Sequence, residues 1–332
     1  MGLRKPGTIL TLIALTGAVG CLLAVFAGGS FSISFTEILR EIMRGPVRDT
    51  SANSVIWDLR LPRVCAGYVV GSILGLTGGV FQLTLRNSLA EPYIVGVSSG
   101  AAAGGALAIL TGIAAFGSGA GLMVASVLGG LAALALVLAL VGRKRAQRDT
   151  LLLGGVVVGA MLSGITTTAL LAAGQDTNRV LRWLFGSLGE SQWWQVGLSG
   201  LVLLLEVALF VPMARQINAL AMGDDAAHSV GVSVKAASLK VLLVGGIATS
   251  VTVGSFGIIA FVGLVTPHLA RRLVGPNLVF ANWASIGVGG LLLVLADFAA
   301  QRISATISMP VGAITAIIGA PMLLWLLRRE VN

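Results

Sequence analysis

An all-α polytopic membrane protein of about ten transmembrane helices is the fold class that the sequence predicts, and three observations carry it. Hydrophobic residues make up 56% of the 332 and charged residues 11%, with a mean hydropathy of +0.96, a balance foreign to soluble folds. The apolar runs are continuous rather than alternating, which suits helices and not a β-barrel. The 45 glycines predict closely packed helices, because small residues let backbones approach in lipid.

Taken in order, Arg4 and Lys5 precede an apolar run from Thr8 to Ala27. Ala18-Val19-Gly20-Cys21 is similar to a lipoprotein cleavage site, but the many spans beyond it favour a retained first helix. Phe31 to Trp57 is polar, carrying Glu37, Arg40, Glu41, Arg44, Arg48 and Asp49, and predicts a short amphipathic helix on the outer surface with Thr36 as its cap. Further spans are expected near 62–83, 94–114, 119–141, 151–173, 193–213, 240–257, 259–273, 281–300 and 310–327. Ten spans put both termini on one side. With that side in the cytoplasm, fourteen of the 22 Lys and Arg lie in cytoplasmic loops and eight outside, as the positive-inside bias requires. Two five-helix halves would then run in opposite directions, although no internal sequence repeat is visible. Pro267 interrupts one span, and broken helices are tolerated where they line a cavity or pack on protein.

Charge and composition exclude several functions. The net charge of +9 is spread in short clusters between apolar runs, so nucleic acid is not the expected partner. Cys21 and Cys65 lie in or beside apolar segments and are expected as free thiols, and two histidines leave little for a metal site. No Gly-x-x-x-x-Gly-Lys-Ser/Thr motif occurs, so nucleotide is not expected to bind this chain. No His/Asp/Ser or metal-ligand cluster supports a membrane enzyme. Any energy the chain uses must therefore come from a partner or an ion gradient. Glu206 and Asp297 are the deepest acids in the expected spans; Glu206 alone suits a proton relay, and Asp297 is expected to pair with Arg302.

One polar island, Arg215 to Lys240, organises the rest. Asp224 is a natural N-cap, Asp225 adds negative charge to a first turn, Gly231 supplies a stop, and Ser233 can cap the next helix. Two readings fit these residues: a solvated loop, or a knob of two short helices that docks a separate protein. Four other stretches stand out. Arg60-Leu61-Pro62-Arg63 opens a helix with two cations facing outward. Arg86-Asn87-Ser88-Leu89-Ala90-Glu91-Pro92 is a polar cytoplasmic turn running into the glycine-rich Gly96–Gly100, which reads as helix packing rather than a phosphate cradle. The last two are Phe261-Val262-Gly263 leading to Thr266-Pro267-His268-Leu269-Ala270-Arg271-Arg272, and Met309-Pro310-Val311-Gly312.

With Leu220-Ala221-Met222-Gly223-Asp224-Asp225-Ala226-Ala227, these stretches resemble, in order from about residue 57 to 327, the permease subunits of FecCD-type ABC importers of iron–siderophores, haem and vitamin B12. The resemblance implies a single transmembrane permease domain over 1–332, similar to that of the B12 importer, in the bacterial or archaeal cytoplasmic membrane. It implies a homodimer, two separate ATPase subunits that carry the ATP and Mg, and a periplasmic or lipid-anchored binding protein. On this resemblance, Leu220, Met222, Gly223, Asp224, Asp225, Ala226, Ala227, His228 and Gly231 belong to the ATPase-coupling element, within about 215–240. Asn87, Leu89, Asp149 and Thr150 match the cytoplasmic gate, the last two in a loop. Arg60, Arg63 and Arg302 match arginines that pair with the binding protein. Ser88 stands where the family usually has Pro, and Gln301 aligns with the outer arginine, leaving Arg302 one place late.

Overall fold

The computed structural model describes residues 6–29, 33–93, 95–113, 119–141, 148–275, 277–303 and 309–331, and within them no strand occurs. The helices are α1 (Pro6–Ala27), α2 (Phe35–Arg44), α3 (Ser51–Ser54), α4 (Leu61–Leu85), α5 (Val97–Leu110), α6 (Ala120–Val141), α7 (Arg148–Ala172), α8 (Thr177–Leu184), α9 (Trp193–Phe210), α10 (Ala214–Met222), α11 (Asp224–Ser229), α12 (Val234–Phe256), α13 (Val262–Val274), α14 (Leu278–Ile303) and α15 (Val311–Val331). Seven of these, α1, α4, α6, α7, α9, α12 and α14, are long and apolar enough to cross a bilayer. Each of the ten expected runs holds a helix, but not each helix is a full span.

The run at 259–273 is the clearest departure. Its helix α13 has 13 residues, about 20 Å at 1.5 Å per residue, against a hydrocarbon core of about 30 Å. The chain instead breaks at Gly257 (φ +76), runs extended, and starts α13 from a left-handed Phe261 (φ +67). The 14-residue α5 is built the same way, behind a left-handed Gly96 (φ +83). Pro267 sits inside α13 without ending it.

The α4 helix is the axis of the bundle, with 83% of its best apolar window buried against 17–28% for α1, α6, α7 and α9. Its glycines explain the contact. A Cβ added to Gly71 would lie 2.2 Å from the Gly289 carbonyl oxygen, and one on Gly78 would lie 1.9 Å from that of Gly263. Only bare backbone lets α14 and α13 come that close. The sparsely buried helices turn Leu and Val outward, as lipid contact demands.

Two expectations about the segment between α1 and α4 need correction. Ser34, not Thr36, caps α2, its Oγ accepting from the Glu37 N–H. No helix opens at Arg60: helix runs unbroken from Ser51 through a π-helical turn, Val55–Arg60, into α4. The Leu61 N–H reaches the Ile56 carbonyl five residues back, and this wider turn makes room for the Pro62 ring. Cys21 and Cys65 are both free.

Candidate functional site

The polar island folds as two short helices, α10 and α11, broken at Gly223. Gly223 adopts φ +131 and ψ 164, a region essentially closed to side chains. Asp224 is therefore the first residue of α11 and not its N-cap, which corrects the expectation from sequence. Gly223 takes the cap position, and its carbonyl accepts the Ala227 N–H at 2.9 Å. Asp224 and Asp225 then lie in the first turn, where the helix dipole favours negative charge. At the other end Gly231 (φ +76) closes α11 with paired bonds, Gly231 N–H to His228 O at 3.0 Å and Val232 N–H to Ala227 O at 2.9 Å. Ser233 occupies the N-cap of α12 in extended backbone, without a side-chain cap bond, and the helix it precedes is a full span rather than a second short one.

Burial separates a root from a face. Leu220 and Ala227 are fully buried, clustered with Ala219, Ala237, Val232 and Val234. Met222 is 77% exposed, and Asp224, Asp225 and His228 are exposed beside it, with Ala226 half-buried. The result is a knob with a buried apolar root and a mixed polar and apolar tip.

The knob meets the turn after α4. Arg86 there is left-handed (φ +50), with Arg86 N–H to Leu83 O at 3.3 Å and Asn87 N–H to Gln82 O at 3.1 Å, the same paired closure that Gly231 makes. The Arg86 guanidinium lies against the break in the knob: a Cβ on Gly223 would be 3.7 Å from its Nη1. Asn87 shapes the rest of the turn, its Oδ1 accepting the Leu89 N–H at 2.8 Å and its carbonyl the Ala90 N–H at 3.0 Å.

Helix α13 holds this turn along its length. His268 Nε2 donates to the Ser88 carbonyl at 3.1 Å, while its Nδ1 accepts from Arg271 Nη2 at 3.1 Å. Arg271 also donates to Gln82 Oε1 at 2.9 Å, and Gln82 Nε2 donates to the Leu264 carbonyl at 3.1 Å. Further in, the buried Glu91 accepts the Phe261 N–H at the start of α13. The Tyr93 hydroxyl both donates to the Ile259 carbonyl, at 2.7 Å, and accepts its N–H, at 2.9 Å. The sequence marks Thr266–Arg272 as a motif without assigning it this bracing role. The signal lies in His268 and Arg271, three apart and so on one helix face.

A sequence model of the FecCD transport family matches residues 15–329. The chain belongs to the FecCD transport family. Among relatives, the cobalamin import system permease protein BtuC of Halobacterium salinarum is 38% identical over 285 residues, 85% of this chain and 76% of that protein. The hemin transport system permease protein HmuU of Yersinia pestis is 34% identical over 316 residues, 91% of this chain and 90% of that one. The fold matches a solved structure described as an inward-facing conformation of a metal-chelate type ABC transporter, with a TM-score of 0.83, 27% identity, and 98% and 99% of the two chains covered.

The other predicted residues of this FecCD permease lie on the π-helical turn, α4, α7, α9 and α14. Asp149 and Thr150 are in the first turn of α7 rather than in a loop; Thr150 is exposed, and the Asp149 side chain lies outside the described residues. Arg60 and Arg63 do not both face outward. Arg60 is 7% exposed and donates to the Val25 carbonyl at 3.0 Å. Arg63 grips Asp297 with two bonds, Nε to Oδ2 at 2.8 Å and Nη2 to Oδ1 at 2.9 Å. Arg302, expected to pair with Asp297, instead donates to the Ala27 carbonyl and lies over the Phe298 ring at 5.2 Å. Five residues along a helix turn a side chain by about 140°, away from Asp297, whereas Gln301 one turn on donates to Asp297 Oδ2 at 2.8 Å. Glu206 is buried against α4, its Oε1 accepting the Thr77 hydroxyl.

Proposed function

We propose that this chain is the membrane half of an ATP-driven importer, carrying an iron–siderophore, haem or cobalamin-type chelate across the cytoplasmic membrane. Two copies enclose the pathway, each with ten helices and both termini in the cytoplasm. Two separate ATPase subunits, which carry the ATP and Mg, dock on the tips of the α10–α11 knobs. A periplasmic or lipid-anchored binding protein delivers the substrate at the outer face, where Arg302 is exposed and Arg60 and Arg63 lie behind it.

The observation that carries this reading is the proximity of Gly223 in the knob to the Arg86 guanidinium of the gate turn. A partner moving the exposed tip, Met222, Asp224, Asp225 and His228, displaces a rooted body that abuts the turn of Asn87 and Leu89. Helix α13 braces the same turn, so closing or opening it requires α13 to move with it. Glu206, the one acid that suits a proton relay, accepts the Thr77 hydroxyl inside a helix interface, and the ATP-driven reading needs no titration there.

The experiment is reconstitution. The purified chain alone hydrolyses no ATP, and with its ATPase it assembles two to two and transports chelate only when ATP is supplied inside. Transport that survives without any ATPase overturns the proposal.

A further inference from the structure

Helix α2 carries an apolar arc wider than its protein contact. One edge, Ile38 and Ile42, packs in a cluster with Val25, Ile56 and Val64. The other edge, Phe35, Leu39 and Met43, recurs every four residues and is bare, Phe35 at 60% and Met43 at 82% exposure. Glu37, Arg40 and Arg44 occupy the opposite, polar side. Soluble surfaces do not keep a continuous apolar stripe of this kind without a partner.

Two indole bonds tie α2 to the end of a span. The Trp57 indole donates to the Glu41 carbonyl of α2 at 3.0 Å, and Trp193, at the start of the span α9, donates to the Trp57 carbonyl at 2.8 Å. Tryptophans at the ends of spans mark the boundary between headgroups and acyl chains. The bare stripe continues onto the outward face of α1, since the Phe26 and Phe35 rings lie 4.5 Å apart and Val19, Leu22 and Leu23 lie below them. That face of α1 is apolar and exposed, as a lipid-facing surface is.

We infer that α2 is an interfacial membrane anchor: Phe35, Leu39 and Met43 enter the lipid at headgroup–acyl depth while Arg40 meets the phosphates. A short helix with one apolar arc opposite a charged face lies in the interface plane in this way. Through Ile38 and the Glu41–Trp57 bond, α2 then fixes the depth of the π-helical turn and so of Arg60 and Arg63. Lipid contact holds in either orientation of the chain; the outer leaflet comes from the proposed topology.

The test places single cysteines, Met43→Cys or Glu37→Cys, in full-length protein carrying Cys21→Ala and Cys65→Ala, labels each with bimane, and reconstitutes the chain in phosphatidylcholine vesicles. Lipid brominated near the headgroup end of its acyl chains should quench most of the Met43 label and spare the Glu37 label, and aqueous iodide should do the reverse. Leu39→Cys serves as a second reporter and should behave like Met43. Equal iodide access at Met43 and Glu37, with no bromolipid quenching, overturns the anchor. So does a Met43 label that iodide reaches until a soluble binding protein is added, which would give the stripe to protein docking. Because no transport is measured, failure of the anchor and failure of the importer reading remain separate outcomes.

Discussion

The guanidinium of Arg86 lies beside Gly223: a methyl group added to the glycine would come within 3.7 Å of Nη1. One residue closes α4 and opens the turn that follows it; the other breaks the knob. Their proximity joins a surface element to a turn that reaches into the bundle.

The α13 brace should govern how tightly the turn is held. Replacing His268 with Ala removes the donor to the Ser88 carbonyl, and Tyr93→Phe strands a carbonyl and an N–H of Ile259. A buried polar group left unsatisfied costs about 1–3 kcal/mol. Basal ATP hydrolysis of the assembled transporter, measured without substrate, should rise in His268→Ala, and thermal stability should fall more in Tyr93→Phe. Unaltered basal turnover and stability in both variants would show that α13 does not brace the turn.

Arg63 and Asp297 form a partly buried pair that ties α4 to α14. Breaking a buried pair by removing one partner costs up to about 3–5 kcal/mol, less where one side reaches water as Arg63 does. Arg63→Ala and Asp297→Ala should each lower the unfolding temperature in detergent, and the double variant should be no worse than either alone. Additive losses would show that the two do not act as a unit. Arg302→Gln should instead leave stability nearly intact and slow association of the binding protein, most at low salt.

How much of the molecule is legible in its sequence depends on the range of the interaction. Composition and apolar runs locate every long helix, because burial in lipid is written residue by residue. The half-length α5 and α13 read as ordinary spans, because the sequence does not say that Gly96 and Phe261 are left-handed. Gly231 is readable as a stop, a local property. Asp224 has the chemistry of a cap, but Gly223, with a φ that only glycine adopts readily, takes that position. The Arg63–Asp297 pair joins residues 234 apart, and nothing along the chain favours it over the nearer Arg302.

Glu206 separates the two energy sources. The amide of Glu206→Gln can still accept from the Thr77 hydroxyl, so ATP-driven transport should persist, with no change in its dependence on the pH gradient. Abolished transport with intact folding would favour a gradient-driven mechanism.

Within the knob the two ends should differ in sensitivity. Asp224→Ala removes a first-turn charge whose interaction with the helix dipole is worth about 0.3–1 kcal/mol, so coupling should weaken without unfolding the knob. Gly231→Val forces a β-branched residue to φ +76, although the space around it is open, and strain of that sort costs about 1–3 kcal/mol. Transport at matched protein levels should fall further in Gly231→Val than in Asp224→Ala; equal, wild-type transport in both would make the island a tolerant linker.

Gly223→Val tests the central claim most directly, that the knob works the gate turn through Arg86. It strains a backbone at φ +131 and places side-chain atoms against Arg86, while leaving the exposed tip residues unchanged. The measurement is chelate transported per ATP hydrolysed, in vesicles holding the permease with its ATPase and binding protein. The expected result is an assembled transporter that still hydrolyses ATP but moves far less chelate for each ATP. A wild-type ratio in Gly223→Val would contradict the claim.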